Sequence, residues 1–267
     1  MDNDAIAKLI AETEEQCGGE ISLMITDLTS GEIIASADPD RECKTASVIK
    51  FPILVHVALE DEQGRLHWDE TLTLTDGEKV GGSGVLTSMT AGLNLSLRDL
   101  CVLMTVISDN TATNMIIEHV GIEPVNQTLR DLGLPQTTLN RKSYAPDTPQ
   151  SKKHGLGMAT AREMCRLIEL LHRGEIGSPA TCTDILKIME GQRYHDGIPR
   201  YLPADWVYEG KTGAIDHVRN DVARVVTPDG RAYACAIFVQ NLKQVLWTAD
   251  NLGCYAIANL SKILLKG

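Results

Sequence analysis

Apolar Ala5, Ile6, Leu9 and Ile10 recur at helical spacing and predict a helix over 5–15. Two short apolar runs at 20–25 and 32–35, separated by the turn-like Asp27-Leu28-Thr29-Ser30-Gly31, predict a β-hairpin. A longer helical pattern begins at Ser47, runs through Phe51, Leu54, Val55 and Ala58, and stops near Gly64. Pro52 is tolerated there if the helix starts at or just after Ser47. Ser96-Leu97-Arg98-Asp99 reads as a capping box ahead of a helix over 100–107, with helices at 111–120 and 124–132 to follow. The pattern breaks at 141–157, rich in Pro, Ser, Lys and Gly; a loop of that length inside a compact domain is usually functional or mobile. Helices resume at 160–172 and 183–189. Segments 206–211, 221–226 and 233–239 then alternate or run apolar with β-branched residues and predict strands, the last two joined by the turn Pro228-Asp229-Gly230. Segment 249–265 closes the chain as a helix.

Strands therefore sit at both ends of the sequence and helices in the middle. The expected fold class is α/β in the α+β sense: an antiparallel sheet flanked by helices and built from both chain ends (1–46 and 196–267), with an inserted all-helical subdomain (47–195). A cleft between the two is where a site is expected. With 267 residues, 43% of them apolar, the chain can bury a large core, and no apolar run approaches a membrane span. A net charge of −11 with few aromatic residues argues against gripping phosphate backbones or stacking bases, so no nucleic-acid partner is expected. The seven cysteines are scattered, odd in number and without a Cys-x-x-Cys pair, which suits small buried hydrophobes in a reducing compartment. Met-Asp-Asn-Asp at the start lacks the features of a signal peptide, so the expected location is cytoplasmic. The histidines show no metal-ligand spacing; neither a metal nor another cofactor is expected.

Three short motifs carry the chemistry. In Ser47-Val48-Ile49-Lys50 the serine and lysine lie one helical turn apart, on one face. A serine hydroxyl needs a nearby base to become a nucleophile, and a lysine can be that base if burial beside another cation keeps it neutral; Lys211 is a candidate for that second charge. Alone the pattern means little, since about one match is expected by chance in a chain of this size. Ser108-Asp109-Asn110 stands between two predicted helices, where a serine can relay a proton and an asparagine can bond a substrate amide. Taken alone, these residue types are better accounted for by plain helix capping before Thr111. Lys211-Thr212-Gly213 ends a predicted strand, its lysine and threonine able to face an anion and its glycine permitting a ligand close to the backbone. A given tripeptide arises by chance in roughly one chain in twenty of this size, so the ordered set is jointly rare.

Together and in this order, the motifs resemble those of the class A β-lactamases and related penicillin-recognising serine enzymes. The resemblance extends to Gly82-Ser83-Gly84-Val85-Leu86, to Thr111-Ala112-Thr113-Asn114 and to Arg219-Asn220-Asp221-Val222-Ala223, and it covers essentially the whole chain. It implies that Ser47 is the acylated nucleophile, Lys50 its general base and Ser108 the relay to the leaving nitrogen. It implies that Asn110 binds the acyl-side amide, that Lys211, Thr212, Gly213 and Arg219 bind a carboxylate, and that the amides of Ser47 and Ala214 form the oxyanion hole. The implied partner is a small amide or β-lactam bearing a carboxylate.

One family feature is absent. The family carries a glutamate in an Arg-x-Glu-x-x-Leu-Asn loop that activates the deacylating water. Here Leu139-Asn140-Arg141 resembles the start of that loop, Ser143 falls where the glutamate is expected, and no glutamate occurs between Glu123 and Glu163. A serine cannot take that proton at neutral pH. Three outcomes stay open: a trapped acyl-enzyme, as in a penicillin-binding protein; water activation by Tyr144, Asp147 or His154; or a cytosolic amide or ester substrate released differently. A non-catalytic ligand-binding relative is the remaining alternative.

Overall fold

A computed structural model describes residues 1–265. Helix α1 (Asn3–Cys17) opens on Asp2, whose carboxylate accepts the Ala5 N–H at 2.8 Å, and closes on Gly18 in the left-handed region. Strands β1 (Glu20–Asp27) and β2 (Ile33–Ala37) form the expected hairpin. After the short β3 (Cys43–Lys44) comes a 3-10 turn, Ala46–Ile49, and then helix α2 (Lys50–Glu62). The predicted helix thus starts as a 3-10 turn, in which residues three apart eclipse, and Ser47 lies on that turn. From Lys50 to Ala58 every α2 residue is buried, the pattern of a helix enclosed on all sides.

Strands β4 (Thr71–Thr73) and β5 (Asn94–Ser96) pair as a small ribbon ahead of α3 (Leu97–Val106), α4 (Asn110–Val120) and α5 (Ile122–Asp131). At the start of α3, Ser96 accepts the Asp99 N–H at 3.0 Å, but Asp99 returns to the Ser96 hydroxyl and not to its backbone N–H, so the expected capping box closes only on one side. The segment expected to be one long loop is broken up. After β6 (Thr138–Leu139), a short α6 (Pro149–His154) is opened by reciprocal Thr148–Ser151 capping with proline in its first turn, and β7 (Gly157–Ala159) follows. Composition hid this helix because it is too short to show a period. Strands β3, β7 and β6 make a second small sheet.

Helices α7 (Ala161–Arg173) and α8 (Pro179–Glu190) lead to β8 (Val207–Ile215), β9 (Val218–Val226), β10 (Ala232–Gln240) and α9 (Leu252–Leu264). The main sheet runs β2-β1-β10-β9-β8 and all its pairs are antiparallel. β10 is buried at every position because both faces of the sheet are covered. Ala234, Ala236 and Phe238 face one core, shared with α7 and the helices around α2. Tyr233, Cys235, Ile237 and Val239 face the other, shared with α1 and α9. Alternate residues of one strand thus serve two cores. The cysteines are free, and all but the half-buried Cys254 are buried. Among the described residues no helix is long and apolar enough to cross a membrane.

The placement of β8 matters most for function. It is an edge strand, and its open side lies against the 3-10 turn that carries Ser47. A Cβ at Gly213 would sit 2.4 Å from the Thr45 carbonyl oxygen and 3.0 Å from the Val48 nitrogen. The glycine was expected to let a ligand approach the backbone. It lines the cavity described below, yet what requires it is the approach of the turn to the strand.

Candidate active site

The turn bearing Ser47 is held from three sides. Asn220 on β9 donates to the carbonyls of Lys44 (2.8 Å) and Thr45 (3.0 Å), and Gln240 on β10 accepts the Lys44 N–H at 3.1 Å while donating to Asn220 Oδ1 at 2.8 Å. Thr45 N–H donates to the Gly157 carbonyl. Ala46 takes a positive φ of 45°, so this turn stores backbone strain beside the serine.

Ser108 is the hub of the site. Lys50 Nζ donates to the Ser108 carbonyl at 2.8 Å, to Ser108 Oγ at 3.1 Å and to Asn110 Oδ1 at 2.8 Å. Lys211 Nζ reaches the same Ser108 Oγ at 3.2 Å and donates to the Thr212 carbonyl at 2.8 Å. One hydroxyl therefore lies between two fully buried lysines. Ser108 holds φ +57°, a strained conformation that turns its side chain and carbonyl toward Lys50. The capping interpretation of this segment is also correct, but for the middle residue: Asp109 Oδ1 caps α4 at Ala112 N–H, and its Oδ2 accepts the N–H groups of Val85 and Leu86. The neighbours of that one structural carboxylate are thereby aimed into the site.

Burial pushes the Lys50 ammonium well below the ordinary lysine range, and the charge of Lys211 pushes it further. Lys211 is brought down to about 7 by burial, with Asp221 opposing the shift. Asp221 is itself raised to about 7 by burial, against hydrogen bonds from Tyr208 OH (2.7 Å) and the Ile198 N–H (2.8 Å). All three Lys50 bonds go to Ser108 and Asn110 and none to Ser47, so the lysine of the motif is not bonded to its serine.

Two cavities meet at Ser47. The first, about 230 Å³, is walled by Ser108, Thr212, Gly213, Arg219 and Asp221 among others. The second, about 460 Å³, is walled by Asn110, Ser143, Tyr144, Leu156 and Ile215 among others. Four residues line both: Ser47, Ser83, Ala214 and Trp247. Lys50 and Lys211 lie beneath these surfaces. Arg219 is on the first wall, but its guanidinium is largely engaged with the carbonyls of Ile215 (2.8 Å), Val218 (2.6 Å) and Leu246 (2.5 Å), and it stacks on the Trp247 ring at 4.9 Å.

At Ser143, where the resemblance leads one to expect a glutamate, Asn114 grips both backbone groups: its Oδ1 accepts the Ser143 N–H at 2.8 Å and its Nδ2 donates to the Ser143 carbonyl at 2.9 Å. Of the other candidate bases, Tyr144 lines the second cavity at φ +60°. His154 instead faces Glu42 (3.4 Å), and Asp147 lies 3.5 Å from Arg141 and accepts from Ser151. Asn114 and Asp221 lie within the motif segments, but nothing local in the sequence marks their tasks. Nor does anything there mark Trp247, a lone aromatic in an irregular stretch with no period or motif.

The whole of this constellation falls within a match to the model of the β-lactamase enzyme family over residues 3–267. The chain belongs to that family. This family member is a β-lactamase-like serine hydrolase. It is 27% identical to a β-lactamase of Rhodobacter capsulatus over 232 residues, which is 86% of this chain and 78% of that protein. The crystal structure of a β-lactamase from Sphaerobacter thermophilus DSM 20745 matches it with a TM-score of 0.89 at 31% identity, covering 100% of this chain and 97% of the other. A mutant of PBP-A, solved as an acyl-enzyme complex with penicillin G, matches with a TM-score of 0.85 at 27% identity over 98% of this chain and 95% of that one.

Proposed function

We propose that this family member forms an acyl-enzyme at Ser47 with β-lactams or related carboxylate-bearing amides, and that the adduct outlives the one formed by an enzyme with the loop glutamate. The observation that carries the reading is the Ser108 hydroxyl held between Lys50 and Lys211 on the wall of the first cavity, which Ser47 also lines. Neutral Lys50 takes the proton of Ser47 Oγ as that oxygen bonds the substrate carbonyl carbon. The carbonyl oxygen, now negative, is met by the N–H groups of Ser47 and Ala214. As the carbon–nitrogen bond breaks, the proton passes from Lys50 through Ser108 to the leaving nitrogen, so every proton taken is returned. Asn110 receives the acyl-side amide in the second cavity. The carboxylate lies toward Thr212 in the first, drawn by Lys211 beneath and by the Arg219 donors not spent on carbonyls. The acyl-enzyme reported for the PBP-A mutant favours the same chemistry here.

The test is time-resolved intact mass after mixing with benzylpenicillin, with peptide mapping. An adduct on Ser47 that persists for minutes or longer, and is absent from Ser47→Ala, is the expected result. Labelling elsewhere, or equal labelling of Ser47→Ala, overturns the reading.

A pH profile probes the electrostatics. Because the Lys211 charge depresses Lys50, replacing Lys211 by methionine lets the Lys50 pKa rise. Neutral base then becomes available only at higher pH, so the acid limb of the acylation profile moves to more alkaline pH. Burial, the larger cause, remains and keeps Lys50 below an ordinary lysine. A limb that stays in place shows that Lys50 does not supply it.

A further inference from the structure

Ser47, Ser83, Ala214 and Trp247 alone belong to both cavity walls, so a molecule spanning the two cavities passes these four. Trp247 is the only large side chain among them. Trp247 is 62% exposed, and Tyr144 and Ile215, which line the second cavity with it, are exposed too, so the ring belongs to an apolar patch of the kind that marks a binding surface. The indole is nonetheless fixed: Nε1 donates to Asp216 at 3.0 Å, and the Arg219 guanidinium lies over the ring at 4.9 Å. Arg219 is tied to the same loop through the Leu246 carbonyl, which also accepts from Asn251 at 2.8 Å. An exposed aromatic ring anchored in this way is pre-organised to stack on a ligand at little entropic cost. Around it, the second cavity supplies Tyr144, Leu156 and Ile215 beside the amide-binding Asn110.

We propose that Trp247 is a specificity-determining wall of this site and selects carboxylate-bearing amides whose acyl group carries a flat aryl ring. This rests on the acyl-enzyme reading above. The aryl ring lies in the second cavity against the indole, while the carboxylate lies in the first, so a single residue touches both halves of the substrate.

Two probes with one nucleus separate the effects: benzylpenicillin, which carries an arylacetyl group, and 6-aminopenicillanic acid, which has none. Both keep the carboxylate, so damage that acts only through Arg219 falls equally on both. In Trp247→Ala the second-order rate of Ser47 acylation is expected to fall roughly five- to tenfold further for benzylpenicillin than for 6-aminopenicillanic acid, whose own fall reports the contact shared with Arg219. Trp247→Phe, which keeps a flat ring, restores most of the difference. An equal fall for both probes, or no fall for either, overturns the proposal and leaves the acyl-enzyme reading standing. Absence of a Ser47 adduct from either probe in the unaltered enzyme overturns both.

Discussion

Replacing Lys50 by methionine lowers the rate of Ser47 acylation by roughly 10²- to 10⁴-fold, the usual contribution of a positioned general base. Methionine keeps an unbranched side chain in the enclosed α2 position but can neither take the serine proton nor donate to Ser108 and Asn110. The effect on stability has a definite sign with pH. The folded Lys50 pKa lies well below the unfolded value, so the stability associated with its neutral form is fully present above the ordinary lysine pKa of 10.5 and fully lost once pH falls below the folded pKa. Methionine has no charge to desolvate, so the variant is not subject to that loss at low pH, whereas at every pH it takes the Lys50 donor from the Ser108 carbonyl and Asn110 Oδ1, Ser108 Oγ still having Lys211. The parent's melting temperature relative to the variant's is therefore lower at acid pH than at alkaline pH. Stopped-flow acylation checks the kinetic claim; a Lys50→Met enzyme acylated within threefold of the parent rate would remove Lys50 from the mechanism.

The motifs were legible because each is a contiguous string whose side chains serve one neighbourhood, and the strand at 233–239 was legible as an unbroken apolar run because both faces of β10 are buried. What sequence did not reveal are relations between segments far apart in the chain. Gly213 is required by Thr45 and Val48, more than 160 residues earlier, and no local pattern encodes that approach. Ser108 takes its meaning from Lys211, and Ser143 from Asn114, through hydrogen bonds across 103 and 29 residues respectively. The strands of the two small sheets are two or three residues long, below the length at which alternation can be read. Trp247 is identifiable only once two cavity walls are seen to share it. The resemblance to class A enzymes supplied the roles of the motif residues; the structure adds the geometry linking them, including the engagement of Arg219 with carbonyls and an indole.

Introducing Ser143→Glu is expected to shorten the lifetime of the Ser47 adduct by at least roughly a hundredfold, the scale on which a general base acts on a water. The position is prepared for the exchange. Asn114 clamps both backbone groups of Ser143, so the loop is held independently of the side chain there. Ser143 shares the second cavity with Ser47 and Asn110, so a carboxylate added at its Cβ enters the space beside the acyl-enzyme carbonyl. A glutamate is ionised at neutral pH and accepts the proton of a water that attacks that carbonyl; serine has no such capacity. The gain should be confined to the second half-reaction, because Lys50 and Ser108, proposed to act in the first, are left unaltered. Intact mass followed over time resolves the halves: the adduct forms at about the parent rate and then decays, with benzylpenicilloic acid appearing in step. If the adduct persists as long as in the parent, while the melting temperature and the acylation rate are unchanged, the missing carboxylate is not what limits turnover. The loop's backbone course, including the strained Tyr144 that follows, would then be the limiting feature.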